Sequence, residues 1–200
     1  VAVVSMRRDS LADLTGLDSH QDVVAELGGQ VSLDEDGLMA LLDELDEAPL
    51  LLVLDGVTDP HNLGACLRTA EAAGVNAVIV PRDRSAGLTP AARKVSAGAS
   101  EVLPLVQVTN LARTLRAQTD RGIWLYATSD RAEGTLYDQD FSGPVALVMG
   151  SEGEGVRRLT AETCDFLVAN PMAGAIESLN VSVATGVCLF EIQRQRGARP

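Results

Sequence analysis

Three polar, glycine-containing stretches carry the residue types that could do chemistry. In the first, residues 54–70, an apolar run ends at Asp55-Gly56 and leads through Asp59-Pro60-His61-Asn62 into a helical pattern. Asn62 is placed to cap that helix. Leu63, Leu67, Ala70 and Gly74 fall on one side of it, so the 100° step per residue leaves Arg68 on the flank, free to serve a site. The competing reading of Arg68 is a surface pair with Glu71, three residues on. His61 reads as a turn residue rather than a ligand or base. The second stretch, residues 145–156, is an apolar strand that delivers Gly150, Ser151, Glu152, Gly153, Glu154 and Gly155. Glycines let backbone amides approach a ligand closely. Two carboxylates make a poor phosphate cradle and suit an amine or a sulfonium better, while a tight turn with Glu152 capping the next helix is the plainer alternative. The third, residues 169–184, holds Asn170, Met172, Ser178, Leu179 and Asn180 ahead of a long helix.

These stretches need a frame that brings strand ends together. From Pro49 onward, short aliphatic runs at Leu50–Leu54, Ala77–Val80, Val102–Val106, Ile123–Ala127, Val145–Met149 and Phe166–Ala169 alternate with helical patterns at Leu63–Ala73, Pro90–Ala97, Leu111–Thr119 and Ser178–Arg194. Such alternation predicts an α/β domain, a parallel sheet flanked by helices. Open sheets of this kind place ligands at the carboxyl ends of their strands. Thr89-Pro90 supplies a cap and a first-turn proline, and Thr109 or Asn110 can cap the next helix. The last helix is apolar on nearly all sides through Leu179, Val181, Val183, Val187, Leu189, Phe190 and Ile192, which predicts burial partly against another subunit. Ahead of Pro49 the pattern changes to a strand at Ala2–Ser5, a short piece at Val23–Glu26 and an acidic helix at Gly37–Asp46.

Charge is divided unevenly. Residues 1–48 hold 12 acidic and 2 basic side chains, a net of −10 out of −12, so the larger segment is nearly neutral. Its basic residues are almost all arginine, which bonds phosphates and bases bidentately. Arg82, Arg84, Arg93 and Lys94, together with Arg157 and Arg158, are therefore RNA-contact candidates, with a solvated charged face as the alternative. Cys66, Cys164 and Cys188 are odd in number, with no CxxC pairing and no His at metal-ligand spacing, so a reduced, cytoplasmic compartment, structural cysteines and no metal are expected. The longest apolar run, Ala48–Leu54, is far short of the roughly 20 residues that span a bilayer. The chain opens on Val1, and an upstream part is expected.

Taken together, Asn62–Arg68, Gly150–Gly155 and Pro171-Met172 through Ser178–Ser182 resemble the three motifs of the SpoU RNA 2′-O-methyltransferases, in the family's order and spacing, over about residues 50–196. Arg82–Ser85, Val106–Ala112 and Arg157–Thr160 are similar to the branch that methylates a guanosine in the peptidyl-transferase region of large-subunit ribosomal RNA. The resemblance implies an α/β methyltransferase domain over residues 49–200 with a C-terminal trefoil knot, an S-adenosylmethionine cofactor, and a homodimer whose RNA site spans the interface. It implies cofactor contacts at Gly150, Asn170, Met172 and Leu179, with Thr128 beside them, and a catalytic set of Asn62, Arg68, Glu152, Ser178 and Asn180. Asn170 departs from the aliphatic residue usual before the family's Pro-Met pair. Residues 1–48, including His20-Gln21, resemble the rear half of an N-terminal RNA-binding domain plus a linker. Within the family, transfer RNA or a ribosomal adenosine is the alternative target. An RNA-binding module without activity would have no need for the Asn62, Arg68, Glu152 and Asn180 set, and a nicotinamide enzyme would need GxGxxG after its first strand.

Overall fold

Two hydrophobic cores, one on each face of a parallel sheet, organise the larger of two compact units, residues 32–200; the smaller comprises residues 1–31. The computed structural model describes residues 3–15, 22–24 and 32–197. In the smaller unit, helix α1 (Arg8–Thr15) is described, with exposed ion pairs Arg7–Asp9 and Arg8–Asp22. Val3–Ser5 form no strand, and Ala2, His20-Gln21 and Ala25-Glu26 lie outside the described residues.

The larger unit runs α2 (Glu35–Asp43), β1 (Leu50–Asp55), α3 (Pro60–Ala72), β2 (Ala77–Pro81), α4 (Pro90–Ser96), α5 (Ala99–Val102), β3 (Leu105–Val108), α6 (Leu111–Asp120), β4 (Trp124–Thr128), β5 (Gly134–Thr135), a 3-10 turn (Leu136–Asp138), β6 (Val145–Gly150), α7 (Arg158–Ala161), β7 (Phe166–Ala169) and α8 (Val181–Arg196). The sheet has the order β3-β2-β1-β6-β4-β7-β5, and every pairing is parallel. Leu50, Leu52 and Leu54 enter one core while Leu51 and Val53 enter the other. That is the two-residue period of a strand covered on both faces, and it explains why β1 reads as an unbroken apolar run. On the first face Leu63, Cys66, Leu67 and Ala70 of α3 pack in one core with Val181, Ala184, Cys188, Leu189 and Ile192 of α8. On the second face Leu38 and Leu42 of α2 join Leu111 and Leu115 of α6.

The boundary expected at residues 48/49 therefore falls inside the larger unit. Asp34 caps α2 by accepting from the Gly37 N–H at 2.9 Å, and the helix buries Leu38 completely. That burial alone contributes about 1.5–3 kcal/mol. Leu33 bonds the backbone of β3 from both its N–H (3.0 Å, to Leu105) and its C=O (2.8 Å, from Gln107), covering that edge of the sheet.

Three further differences have local causes. Asp59, not Asn62, caps α3, accepting from the His61 N–H at 3.0 Å with Pro60 in the first turn; Asn62 lies inside the helix. The run predicted as a strand from Val102 splits, because residues 99–102 close a helical turn and β3 begins only after Pro104, which has no N–H to give a ladder. Asn110 supplies the cap of α6.

Gly64 is where α3 meets α4. A Cβ there would stand 2.5 Å from the Ala92 carbonyl oxygen and 2.8 Å from Val95 Cβ. Gly64→Ala is expected to destabilise the fold by about 1–3 kcal/mol through overpacking. Urea unfolding monitored by circular dichroism reads this, and an unchanged midpoint would contradict the close approach.

Candidate active site

All the strands being parallel, their carboxyl ends lie on one side of the sheet. There β1, β6, β4 and β7 are consecutive neighbours, with Asp55 paired to Gly150 and Thr128 to Val168. The chain moves outward from β1 to β2 and β3 but places β6 and β4 on the other flank, so this is also where the strand order reverses, the usual ligand crevice of an open α/β sheet. Thr128 ends β4, its hydroxyl donating to the Val148 carbonyl at 3.4 Å. Gly150 ends β6, and Asn170 follows β7.

The loop after β6 is tightly wound. Ser151 and Gly155 exchange backbone hydrogen bonds of 3.1 and 3.0 Å, and Gly153 and Gly155 take the left-handed φ values of 88° and 68° that glycine adopts without strain. A side chain at Gly150 would run into the backbone of Gly155 and Val156, so only glycine fits there. Glu152, near the loop's tip, accepts from the Asn180 side-chain amide and from the Val181 N–H at 3.3 Å. It thus satisfies an otherwise unpaired donor in the first turn of α8, where the helix dipole also favours a carboxylate. Asn180 donates as well to Asn62 Oδ1 at 3.0 Å, and its own Oδ1 accepts from the Ser182 N–H at 2.9 Å. Residues 62, 152 and 180, far apart in sequence, meet in one hydrogen-bonded group. Glu152 does cap a helix, but α8 rather than the next one along the chain.

Arg68 is exposed on α3, and among the described residues no ion pair joins it to Glu71 or to any other carboxylate. It is not bonded to the Asn62, Glu152 and Asn180 group either. Ser178 and Leu179 lie with Met172 on the exposed stretch 171–180, Met172 and Leu179 each keeping more than a third of their surface open. Asn170 turns its side chain away from that stretch onto α8, where Oδ1 accepts from Cys188 Sγ at 3.7 Å, so its departure from an aliphatic residue is met by a buried polar partner.

The cysteines behave structurally. Burial pushes the Cys66 thiol up to about 11 and the Cys164 and Cys188 thiols up to about 12, so none is a thiolate near neutrality. His61 is exposed and bonded to Asp59. Among the described residues no group of three or more His, Cys, Asp or Glu could hold a metal, and no helix is long and apolar enough to cross a membrane. Several arginines named as RNA contacts are engaged within the chain, Arg93 with Glu101, Arg157 with Asp55 and Arg158 with Glu162, whereas Arg82 and Arg84 are exposed. No local pattern signals the Asp55–Arg157 pair, whose members stand 102 positions apart.

A parallel α/β sheet with strand-end loops gathered at its order reversal defines the ligand-binding crevice of an open α/β domain. The profile of the SpoU rRNA Methylase family matches residues 49–190, and the chain belongs to this family. It is 58% identical to the 23S rRNA (guanosine-2′-O-)-methyltransferase RlmB of Ralstonia nicotianae over 100% of this chain and 80% of that protein. Among solved structures, the AdoMet-bound rRNA methyltransferase of Sinorhizobium meliloti superposes with a TM-score of 0.81 at 29% identity, over 94% of this chain and 70% of that one. The SpoU methyltransferase AviRb of Streptomyces viridochromogenes, in complex with AdoMet, gives 0.71 at 31% identity, over 78% and 61%.

Proposed function

We propose that this chain methylates the ribose 2′-hydroxyl of a guanosine in 23S ribosomal RNA, using S-adenosylmethionine. The observation that carries the reading is the meeting of Asn62, Glu152 and Asn180 beside the glycine loop of β6, in a chain 58% identical along its whole length to a 23S rRNA guanosine 2′-O-methyltransferase. Residues 150–156 carry Glu152 and Glu154 and no basic side chain, which fits a ligand with an amine and a sulfonium and not a phosphate. When bound, S-adenosylmethionine supplies an electrophilic methyl group.

The residues of the chain do the rest. Main-chain groups at Gly150, Asn170 and Leu179, with Met172 and Thr128 beside them, hold the cofactor. Asn62, Glu152, Ser178 and Asn180 organise the loops, and Arg68 faces the ribose. The hydroxyl must stand about 3 Å from the methyl carbon and give up its proton, and positioning supplies part of the barrier reduction. The working unit is a cytoplasmic homodimer: Val183 and Phe190 on α8 are each more than half exposed and, with the partly buried Val187, form an apolar stripe that a second copy would cover. In this reading the C-terminal segment through α8 forms the family's trefoil knot, the target guanosine lies in the peptidyl-transferase region, and residues 1–48 come from an RNA-binding domain. Exposed Arg82 and Arg84 contact the RNA.

Ribose-methylation mapping of 23S rRNA from cells with and without the gene tests this. One 2′-O-methylguanosine should disappear on deletion and return with the gene. An unchanged map would overturn the assignment.

A further inference from the structure

The loop that follows Gly150 is fixed at its exit by a contact that neither the motifs nor the mechanism account for. Asp55, the last residue of β1, is completely buried and pairs across the sheet with Gly150. Both of its carboxylate oxygens go to one residue, Arg157. The Arg157 N–H donates to Oδ2 at 3.1 Å, Nε donates to Oδ1 at 2.5 Å, and a terminal guanidinium nitrogen forms an ion pair with Oδ1. A buried carboxylate needs such multiple partners, because an uncompensated charge there is strongly unfavourable. The result is that the chain leaves β6 at Gly150, winds through the Ser151–Gly155 bridge and is fastened at Arg157 to the neighbouring strand beside its starting point.

From this geometry we infer that Asp55 and Arg157 are positioning residues that clasp the 150–157 loop in its cofactor-binding shape. The inference rests on the reading that Gly150 contacts S-adenosylmethionine. The loop has a second attachment, at its tip, through Glu152 to Asn180 and Val181, but Glu152 and Asn180 are exposed. Water competes for those bonds and not for the carboxylate of Asp55, so the buried clasp is the stronger of the two fastenings. Arg157 is needed as arginine, because one planar side chain satisfies Asp55 from two nitrogens while its backbone satisfies the other oxygen; a lysine offers a single point charge.

The test measures S-adenosylmethionine affinity by calorimetry, and kcat and KM for each substrate, in wild type, Arg157→Ala, Arg157→Lys and Asp55→Asn, with melting curves for each. Arg157, on a partly exposed loop, can be replaced with less risk to folding than Asp55. Arg157→Ala should weaken S-adenosylmethionine binding by at least about tenfold and raise its KM in step, with kcat at saturating cofactor and KM for RNA within about threefold of wild type. Arg157→Lys should recover part of the affinity. A folded Arg157→Ala protein with wild-type cofactor affinity overturns the clasp, and so does a raised KM for RNA alone, which would make Arg157 an RNA contact. Failure of the wild type itself to bind S-adenosylmethionine is a separate result that sinks the underlying reading.

Discussion

Arg68→Ala is expected to lower turnover at saturating S-adenosylmethionine by at least about a hundredfold, the low end for a proton-transfer or key electrostatic group, while cofactor affinity stays nearly unchanged. The expectation follows from what Arg68 does not do in the fold. It lies off the buried side of α3, which is formed by Leu63, Cys66, Leu67 and Ala70, and among the described residues it makes no ion pair. Its loss therefore removes no buried side chain and, among the described residues, no ion pair. In the proposed site, a cation left uncompensated is available for negative charge that develops during reaction. A ribose hydroxyl is a weak nucleophile until its proton is leaving, and a guanidinium held nearby favours the alkoxide that results. Deprotonating a guanidinium is costly, so stabilising the alkoxide is the easier role. Arg68→Lys keeps the positive charge and should restore part of the rate. Calorimetry showing lost S-adenosylmethionine binding in Arg68→Ala would contradict this assignment.

How much of this was legible depends on the range of the interaction. Leu50–Asp55, Ala77–Pro81 and Val145–Gly150 are buried end to end, and burial on both faces leaves an apolar run that can be read directly. β5, two residues at Gly134–Thr135, and the four-residue helices α5 and α7 are too short to show any period. Asp59 and Asn62 are both good capping residues, so residue type alone does not locate the cap of α3, and Pro60 in the first turn decides in favour of Asp59. Acidic composition separated α2 from the domain it packs on; its two buried leucines, Leu38 and Leu42, outweigh the charges on its open side.

The site divides in the same way. The glycine-rich segment with Gly150 and Glu152 stands out by its own composition after a strand, whereas Asn180 enters through the resemblance to the family's third motif. That Glu152 bonds both Asn180 and the first turn of α8, and that Asn180 reaches Asn62 across 118 positions, is written in no local pattern. The expectation that α8 is buried all round is met within this chain on one side only, by Val181, Ala184, Cys188, Leu189 and Ile192. Val183 and Phe190 stay open, which is why a second copy enters the proposed function.

The glycine at 150 should prove as demanding as the arginine at 68. In Gly150→Ala the added methyl group would lie inside 3.0 Å of the backbone carbon of Gly155 and the backbone nitrogen of Val156, closer than real Cβ atoms come. Backbone cannot turn aside as a flexible side chain can, so the exit of the loop must move. The Ser151–Gly155 bridge and the Arg157–Asp55 clasp both lie within two residues of the clash and oppose that movement. Overpacking of this kind costs about 1–3 kcal/mol of stability. In the proposed site the larger consequence falls on the ligand, because a displaced loop would no longer present its backbone groups to S-adenosylmethionine. Its affinity is expected to fall by at least about a hundredfold, equivalent to about 2.7 kcal/mol. Gly143→Ala, where nothing lies within 4 Å of the added carbon, serves as the control and should bind the cofactor as wild type does. A folded Gly150→Ala protein of unchanged affinity would mean that the loop after β6 does not hold the methyl donor.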